Sequence, residues 1–207
     1  MRHNRLWGPE VAQWYDTNHG RMFNDATGIE LSPAMLHQLR TKVDEQTIPV
    51  TVGDMATTVT DGQFNLVYLV YNTISNLMTQ DEQVECFINA ERHLSPGGCF
   101  VIELWVPQLR ELPPGQPGTV ASVEPGYVNL DSYDTVNQIV VSHHFRYSDS
   151  SSEATVHRSP HRYIWPSELD LMARIAGFTL ESRHEDWAGG EFNADSASHV
   201  SVYRLRP

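Results

Sequence analysis

Two apolar runs limit what this chain can fold into. Residues 64–71 read FNLVYLVY and residues 99–106 read CFVIELWV. Runs this short and this continuous suit strands covered on both faces, as inside a parallel sheet. Between them, Thr79 is placed as a helix N-cap, with Glu82 three residues on as its capping-box partner. Val84, Phe87, Ile88 and Leu94 supply the apolar side of that helix, and Ser95-Pro96-Gly97-Gly98 stops it. The same alternation begins upstream. Residues 28–31 form a short strand candidate, and Ser32-Pro33 opens a helix with Ser at the N-cap and Pro at the first position. Met35, Leu36, Leu39 and Val43 then recur at helical spacing. Residues 49–52 are a second short strand, ending at Gly53-Asp54-Met55. Strand and helix thus alternate from 28 to 106, which predicts an α/β fold with right-handed crossovers.

After Pro107 the pattern changes. Residues 110–119 are rich in Pro and Gly and read as a loop. Residues 120–128, 136–147 and 154–164 read as three extended segments forming antiparallel pairs, with 148–152 as a hairpin tip. Pro166 opens a helix with Leu169, Met172, Ala173 and Ala176 inside and Gly177 as its stop. Residues 178–183 and 199–205 are two final strands. At the other end, residues 1–26 are polar and broken by Gly8, Pro9 and Gly20, and read as a short helical lead-in. The expectation is a single domain over 1–207, with 107–165 as an inserted antiparallel segment on the substrate side.

Charge narrows the partners. Fourteen Lys and Arg against 26 Asp and Glu give a net charge of −12. Such a surface repels phosphate backbones, so nucleic acid is not expected as a substrate. No apolar run approaches the roughly 18 residues of a membrane helix, and the basic N-terminus has no apolar stretch behind it, so neither a membrane nor a secretory signal is expected. Cys86 and Cys99 have no metal-type spacing and read as reduced, buried thiols of a cytoplasmic protein. No metal is proposed from the ten histidines.

Three stations, taken in order, resemble the class I S-adenosylmethionine-dependent methyltransferase family of the small-molecule type. The first is Gly28-Ile29-Glu30-Leu31-Ser32-Pro33-Ala34-Met35, similar to the family's second strand and the helix after it. The resemblance makes Glu30 the acceptor for both ribose hydroxyls of the cofactor, because a carboxylate offers acceptors to two donors. The second is Val52-Gly53-Asp54-Met55, similar to the end of the third strand. There Asp54 would face the adenine amino group and Met55 would pack on the ring. The third is 64–73, the helix after it, and His93-Leu94-Ser95-Pro96-Gly97-Gly98 leading into the strand from Phe100. It is similar to the family's fourth strand, crossover helix, turn and fifth strand. Tyr71 and Asn72, at its fourth-strand end, complete the cofactor residues that the resemblance implies. The resemblance runs over 28–207. It implies S-adenosylmethionine as cofactor, a small-molecule amine or hydroxyl as methyl acceptor, and an antiparallel insertion after the family's fifth strand. In that insertion His143, His144 and His161 are the candidate bases, with His157 beside them, and Tyr163 and Trp165 the candidate substrate wall. Adjacent strand residues face opposite ways, so at most one of His143 and His144 points inward. A homodimer is compatible with this reading.

The chain departs from the family in two places. After the fourth strand it has Asn72-Thr73-Ile74-Ser75 where enzymes acting on nucleic-acid or protein amides carry an Asn/Asp-Pro-Pro-aromatic motif. Upstream, the family's first strand and glycine-rich loop should precede Glu30 by roughly twenty residues, yet Gly8 and Gly20 are the only glycines before Gly28. The fold expected is therefore a Rossmann-like methyltransferase sheet lacking its usual first, central strand. Strand 28–31 must then pair directly with strand 64–71, or the sheet must split. The alternative to an active enzyme is a non-catalytic or truncated relative with weak cofactor binding. A nicotinamide-dependent oxidoreductase would need the same missing loop.

Overall fold

The computed structural model describes residues 26–147 and 153–206. The expected N-terminal lead-in (all but Ala26) and the hairpin tip at 148–152 lie outside the described residues. Two short strands come first. β1 (Gly28–Glu30) and β2 (Val50–Val52) pair in parallel, with Gly28 opposite Val50 and Glu30 opposite Val52. Helix α1 (Pro33–Arg40) connects them, and its cap is as the sequence predicts. The Ser32 hydroxyl accepts from the Met35 amide at 3.3 Å, and Pro33 occupies the first position. The helix is shorter than the apolar spacing predicts and stops before Val43. It buries no side chain fully, and Met35 faces solvent.

The second sheet holds the core. β3 (Phe64–Leu69), β4 (Leu94–Trp105), β9 (Phe178–His184) and β10 (Ser198–Leu205) lie in the order β3-β4-β10-β9. β3 and β4 are parallel, and β10 runs antiparallel to both of its neighbours. Helices α2 (Gln80–His93) and α3 (Pro166–Ile175) supply the buried Phe87, Leu169 and Met172 that meet Phe100, Ile102, Leu104, Phe178 and Tyr203 of the sheet. The Phe87 ring meets those of Phe100 and Tyr203 edge-on, at 5.1 and 5.7 Å between centroids. Burying side chains of this size contributes about 1.5–3 kcal/mol each. The capping box forms as expected: the Thr79 hydroxyl accepts from the Glu82 amide, and the Glu82 carboxylate accepts from the Thr79 amide.

The turn before the second apolar run differs from the sequence reading. β4 already begins at Leu94, opposite Phe64, and resumes at Cys99, opposite Leu66, so residues 95–98 loop out of the ladder. Gly97 sits at φ 77°, the left-handed region that favours glycine. A Cβ on Gly98 would come within 2.9 Å of both the Ser95 carbonyl and the Leu94 side chain.

A third, wholly antiparallel sheet contains β5 (Gly118–Glu124), β6 (Tyr127–Asp134), β7 (Ile139–Tyr147) and β8 (Ala154–Arg162) in sequence order. The three extended segments expected here are four strands. Residues 120–128 are not one segment: Pro125-Gly126 turns the chain so that Glu124 faces Tyr127, with Gly126 at φ 73°. A Pro-Gly pair is a turn signal in its own right. β7 starts at Ile139 because the Asp134 carboxylate accepts the Val136 and Asn137 amides and fixes a turn there.

Among the described residues β1–β2 and β3–β4–β10–β9 are separate sheets, so β1 does not pair with β3. No helix among these residues is long and apolar enough to cross a membrane.

Candidate functional site

Glu30 and Asp54 come together because β1 and β2 run in parallel. Glu30 is opposite Val52, and the Gly53 amide donates to the Glu30 carbonyl at 3.1 Å. Both carboxylates therefore stand where two neighbouring strands end. One oxygen of Glu30 accepts from the Ser32 amide at 2.7 Å, and one oxygen of Asp54 accepts from the Ala56 amide at 2.7 Å. Each keeps a second oxygen without a protein hydrogen bond among the described residues. Gly53 is required by packing, since an added Cβ would overlap the Thr58 side chain. Met55 packs against the main core.

Two helix residues that the sequence reading passed over fasten this turn. The Asn89 amide donates to the carbonyls of Met55 (2.9 Å) and Thr58 (2.8 Å). His93 lies one turn further on. Its Nδ1 is 2.7 Å from the Asn89 carbonyl, and its Nε2 accepts from the Thr60 amide at 3.0 Å. These partners fix the neutral tautomer with the proton on Nδ1. A polar pair at i, i+4 on a helix that buries its other face was the available signal.

Tyr71 and Asn72 end the third strand in an unusual way. Both adopt left-handed backbone angles, φ 53° and 59°. For residues other than glycine this costs about 1–3 kcal/mol each and persists only where surroundings enforce it. β4 does the enforcing. The Tyr71 amide donates to the Glu103 carboxylate at 2.9 Å, and the Asn72 side-chain oxygen accepts from the Trp105 amide at 2.6 Å. Asn72 is thus buried and engaged in holding the turn, while the Tyr71 ring is 58% exposed.

The candidate acceptor side lies on the third sheet. His143 and His144 face opposite ways, as strand geometry requires. His143 Nε2 is bonded to the Ser132 hydroxyl at 2.9 Å, and His144 Nδ1 to the Tyr127 hydroxyl at 2.7 Å. His161 shares a face with His144, Asp131 and Tyr133. Its Nδ1 is buried without a partner, and burial lowers its pKa from the ordinary histidine value. Burial, then the charges of Asp131 and Glu111, push the Tyr133 phenol up to about 12. Tyr163 is buried, 6.2 Å from the Tyr133 ring and 6.4 Å edge-on from Trp165, which is itself partly exposed. Tyr163, Trp165 and Tyr133 are therefore grouped; His161 lies on the Tyr133 face with Val140 between them, and His143 is on the opposite face. Asp131 and Tyr133 were missed because residues 129–135, which hold most of β6, read as a turn between two extended segments. Among the described residues no set of three or more His, Cys, Asp or Glu is placed to hold a metal.

Acidic residues at the carboxyl ends of strands in a mixed α/β architecture are a feature that nucleotide-cofactor folds share. The residues fit the adenosine half of S-adenosylmethionine: unused carboxylate oxygens for hydroxyl and amino donors, with an apolar side chain beside them. Comparison makes the assignment specific. The family described as "Methyltransferase domain" matches residues 12–98, starting upstream of Gly28. The CcbJ methyltransferase of Streptomyces caelestis is 32% identical, superimposes with a TM-score of 0.77, and aligns over 87% of this chain and 74% of its own. An S-adenosylmethionine-dependent methyltransferase of Clostridium acetobutylicum shares the fold at 11% identity, with a TM-score of 0.74 over 96% of this chain and 90% of its own. A curated dTDP-3-amino-3,4,6-trideoxy-alpha-D-glucopyranose N,N-dimethyltransferase of Streptomyces venezuelae is 31% identical over 83 residues, 40% of this chain and 34% of the enzyme. That match spans about a third of the enzyme's length. The chain belongs to the S-adenosylmethionine-dependent methyltransferase family.

Proposed function

We propose that the chain methylates an amine nitrogen of a small molecule, with an amino sugar as the acceptor class, and that it holds its cofactor weakly. The observation that carries the reading is the convergence of Glu30 and Asp54 on adjoining strand ends, each with an unused acceptor oxygen. The acceptor class comes from the activity for which the Streptomyces venezuelae relative is named. When bound, S-adenosylmethionine supplies an electrophilic methyl group on a sulfonium.

The chain's own residues then have three tasks. Glu30 takes the ribose hydroxyls and Asp54 the adenine amine, with Met55 on the ring. The Tyr71–Asn72 turn, fixed by Glu103, borders the transfer region. His161 takes a proton at Nδ1. An amine arrives largely as an ammonium and must lose a proton before it can attack, and burial keeps His161 neutral and able to accept one. Tyr163 and Trp165 wall the acceptor, and 107–165 acts as the acceptor-side insertion of a single domain. Cys86 is buried and Cys99 half-buried, and neither forms a disulfide, in keeping with a cytoplasmic protein.

Weak cofactor binding is the second part. Its support is the sequence before Gly28, whose only glycines are Gly8 and Gly20 and which therefore carries no glycine-rich loop for the carboxypropyl end. Calorimetric titration with S-adenosylhomocysteine is expected to give a dissociation constant of about 0.1–1 mM. Glu30→Gln is expected to weaken it about tenfold further, because a charge-assisted bond becomes a neutral one. A micromolar constant for the unmodified chain would refute weak binding, and an unchanged constant in Glu30→Gln would refute the assignment of Glu30. Radiolabelled methyl transfer to a dTDP-linked amino sugar tests the activity itself.

A further inference from the structure

The turn after β3 is gripped from two sides. On one side stand Glu103 and the Trp105 amide. On the other stands Gln83 of α2, which is fully buried. Its amide nitrogen donates to the carbonyls of Leu77 (3.0 Å), Ile74 (3.5 Å) and Arg162 (3.3 Å). Its oxygen accepts from Arg162 Nη1 at 2.5 Å. Arg162, 5% exposed at the end of β8, spends its other nitrogen on Glu168 (2.7 Å) and Gln138 (3.1 Å). Glu168 also accepts from Gln80 and Gln138, both at 2.7 Å. Gln138 holds a left-handed backbone, φ 57°, and its side chain also donates to the Tyr163 carbonyl. Five polar side chains from α2, the β6–β7 turn, the end of β8 and the start of α3 thus form one connected cluster.

This cluster lies where the antiparallel sheet joins the core. Apolar side chains could make that joint without removing a charge from water. A buried ion pair adds little net stability, but a fully connected buried network admits few alternative geometries. The cluster also spans the two halves of the site. Gln83 holds the turn that continues from Tyr71 and Asn72, and Arg162 is flanked by His161 and Tyr163.

We propose that Arg162, acting through Gln83, is a positioning residue that fixes the pose of the β5–β8 sheet against the Tyr71–Asn72 turn. The consequence for transfer rests on the methyltransferase reading above; the consequence for structure does not. Methyl transfer depends on alignment, and a displacement of about 1 Å can cost a hundredfold in rate.

Two variants test this. Arg162→Lys keeps the charge near Glu168 and loses the fork that reaches Gln83. Gln138→Gly removes a side chain of the cluster while giving φ 57° to the residue that tolerates it best. Amide hydrogen exchange reads the joint without any activity. The probes are Ser75, Leu77 and Tyr163, whose amides donate to Asn72, Ile74 and Gln138. Exchange at all three should rise about tenfold, the effect of losing one charge-assisted bond, while the interior of β7 and the core strands keep their protection. In the transfer assay kcat should fall by about a hundredfold, with cofactor affinity unchanged. Unchanged exchange at Ser75 and Leu77 in both variants would overturn the proposal. So would exchange that rises equally throughout, or a kcat loss matched by an equal loss of cofactor affinity. If the unmodified chain transfers no methyl group, the functional reading fails, and the exchange measurement still decides the positioning role.

Discussion

His199 shows what a single buried polar residue does to this protein. It has no exposed surface, and its Nδ1 is 2.9 Å from the Ser201 hydroxyl, while Nε2 has no partner. Around it, Arg183 bonds Ser201, Asp170 and the Tyr203 hydroxyl, and Phe192 covers the imidazole edge. Burial, reinforced by the Arg183 charge, lowers the His199 pKa to about 4. The unfolded chain, with an ordinary histidine near 6.5, binds more protons between these values. Stability is therefore fully present above about pH 6.5 and is lost as pH falls toward 4, by roughly 2–4 kcal/mol in all. Thermal melts from pH 7 to 4 should show this loss, and His199→Leu should flatten it. A slope unchanged in the variant would place its origin elsewhere. Nothing in the local sequence marks His199 as different from the nine other histidines. Its burial comes from the pairing of β10 between β4 and β9, which no local pattern encodes.

At the scale of elements, legibility followed the length of the local signal. The capping box at Thr79, the Ser32-Pro33 start and the two long apolar runs each combine several cues, and each element formed where those cues placed it. The β6 strand was hidden because a lone Pro-Gly pair had to compete with extended residues on both sides. The turn at 95–98 offers a sharp test of two adjacent glycines. Gly97→Ala meets only the left-handed backbone, since nothing lies within 4 Å of its added Cβ, and should cost about 1 kcal/mol. Gly98→Ala meets the Ser95 carbonyl and the Leu94 side chain and should cost roughly 2–3 kcal/mol, in the range of overpacked core sites. Denaturant unfolding of the two variants reads the difference directly. Equal costs would mean that the loop shifts to make room.

For the whole molecule, the division into sheets matters more than any one residue. The sequence offered a choice between direct pairing of 28–31 with 64–71 and a split sheet, and the described residues are split. The choice was not legible because strand pairing depends on the edges available, not on the pattern inside either strand. The position of Glu30 and Asp54 at adjoining strand ends was legible, since an acidic residue at a strand end is a local feature. The polar joint around Arg162 was not, because its members come from four distant parts of the chain. β1, β2 and α1 contain no fully buried side chain, while β3, β4 and α2 surround the Phe87 core. Amide protection should therefore be low at Ile29 and Val52 and high at Phe100 and Ile102, as expected for a subunit of structure with few buried apolar contacts. Comparable protection in both would show that the small sheet shares the stability of the large one.

That division also sets the thermodynamics of cofactor capture. On the cofactor reading proposed above, a ligand whose polar contacts lie on the weakly anchored pair of parallel strands β1 and β2 meets a competent partner only part of the time, and its apparent affinity is reduced by that fraction. Anything that stiffens the first two strands, a second ligand included, would raise affinity without touching a binding residue. Association would then carry a larger negative heat-capacity change than its contact area alone predicts, because ordering the small sheet hides apolar surface such as Met35 and Val52 at the same moment.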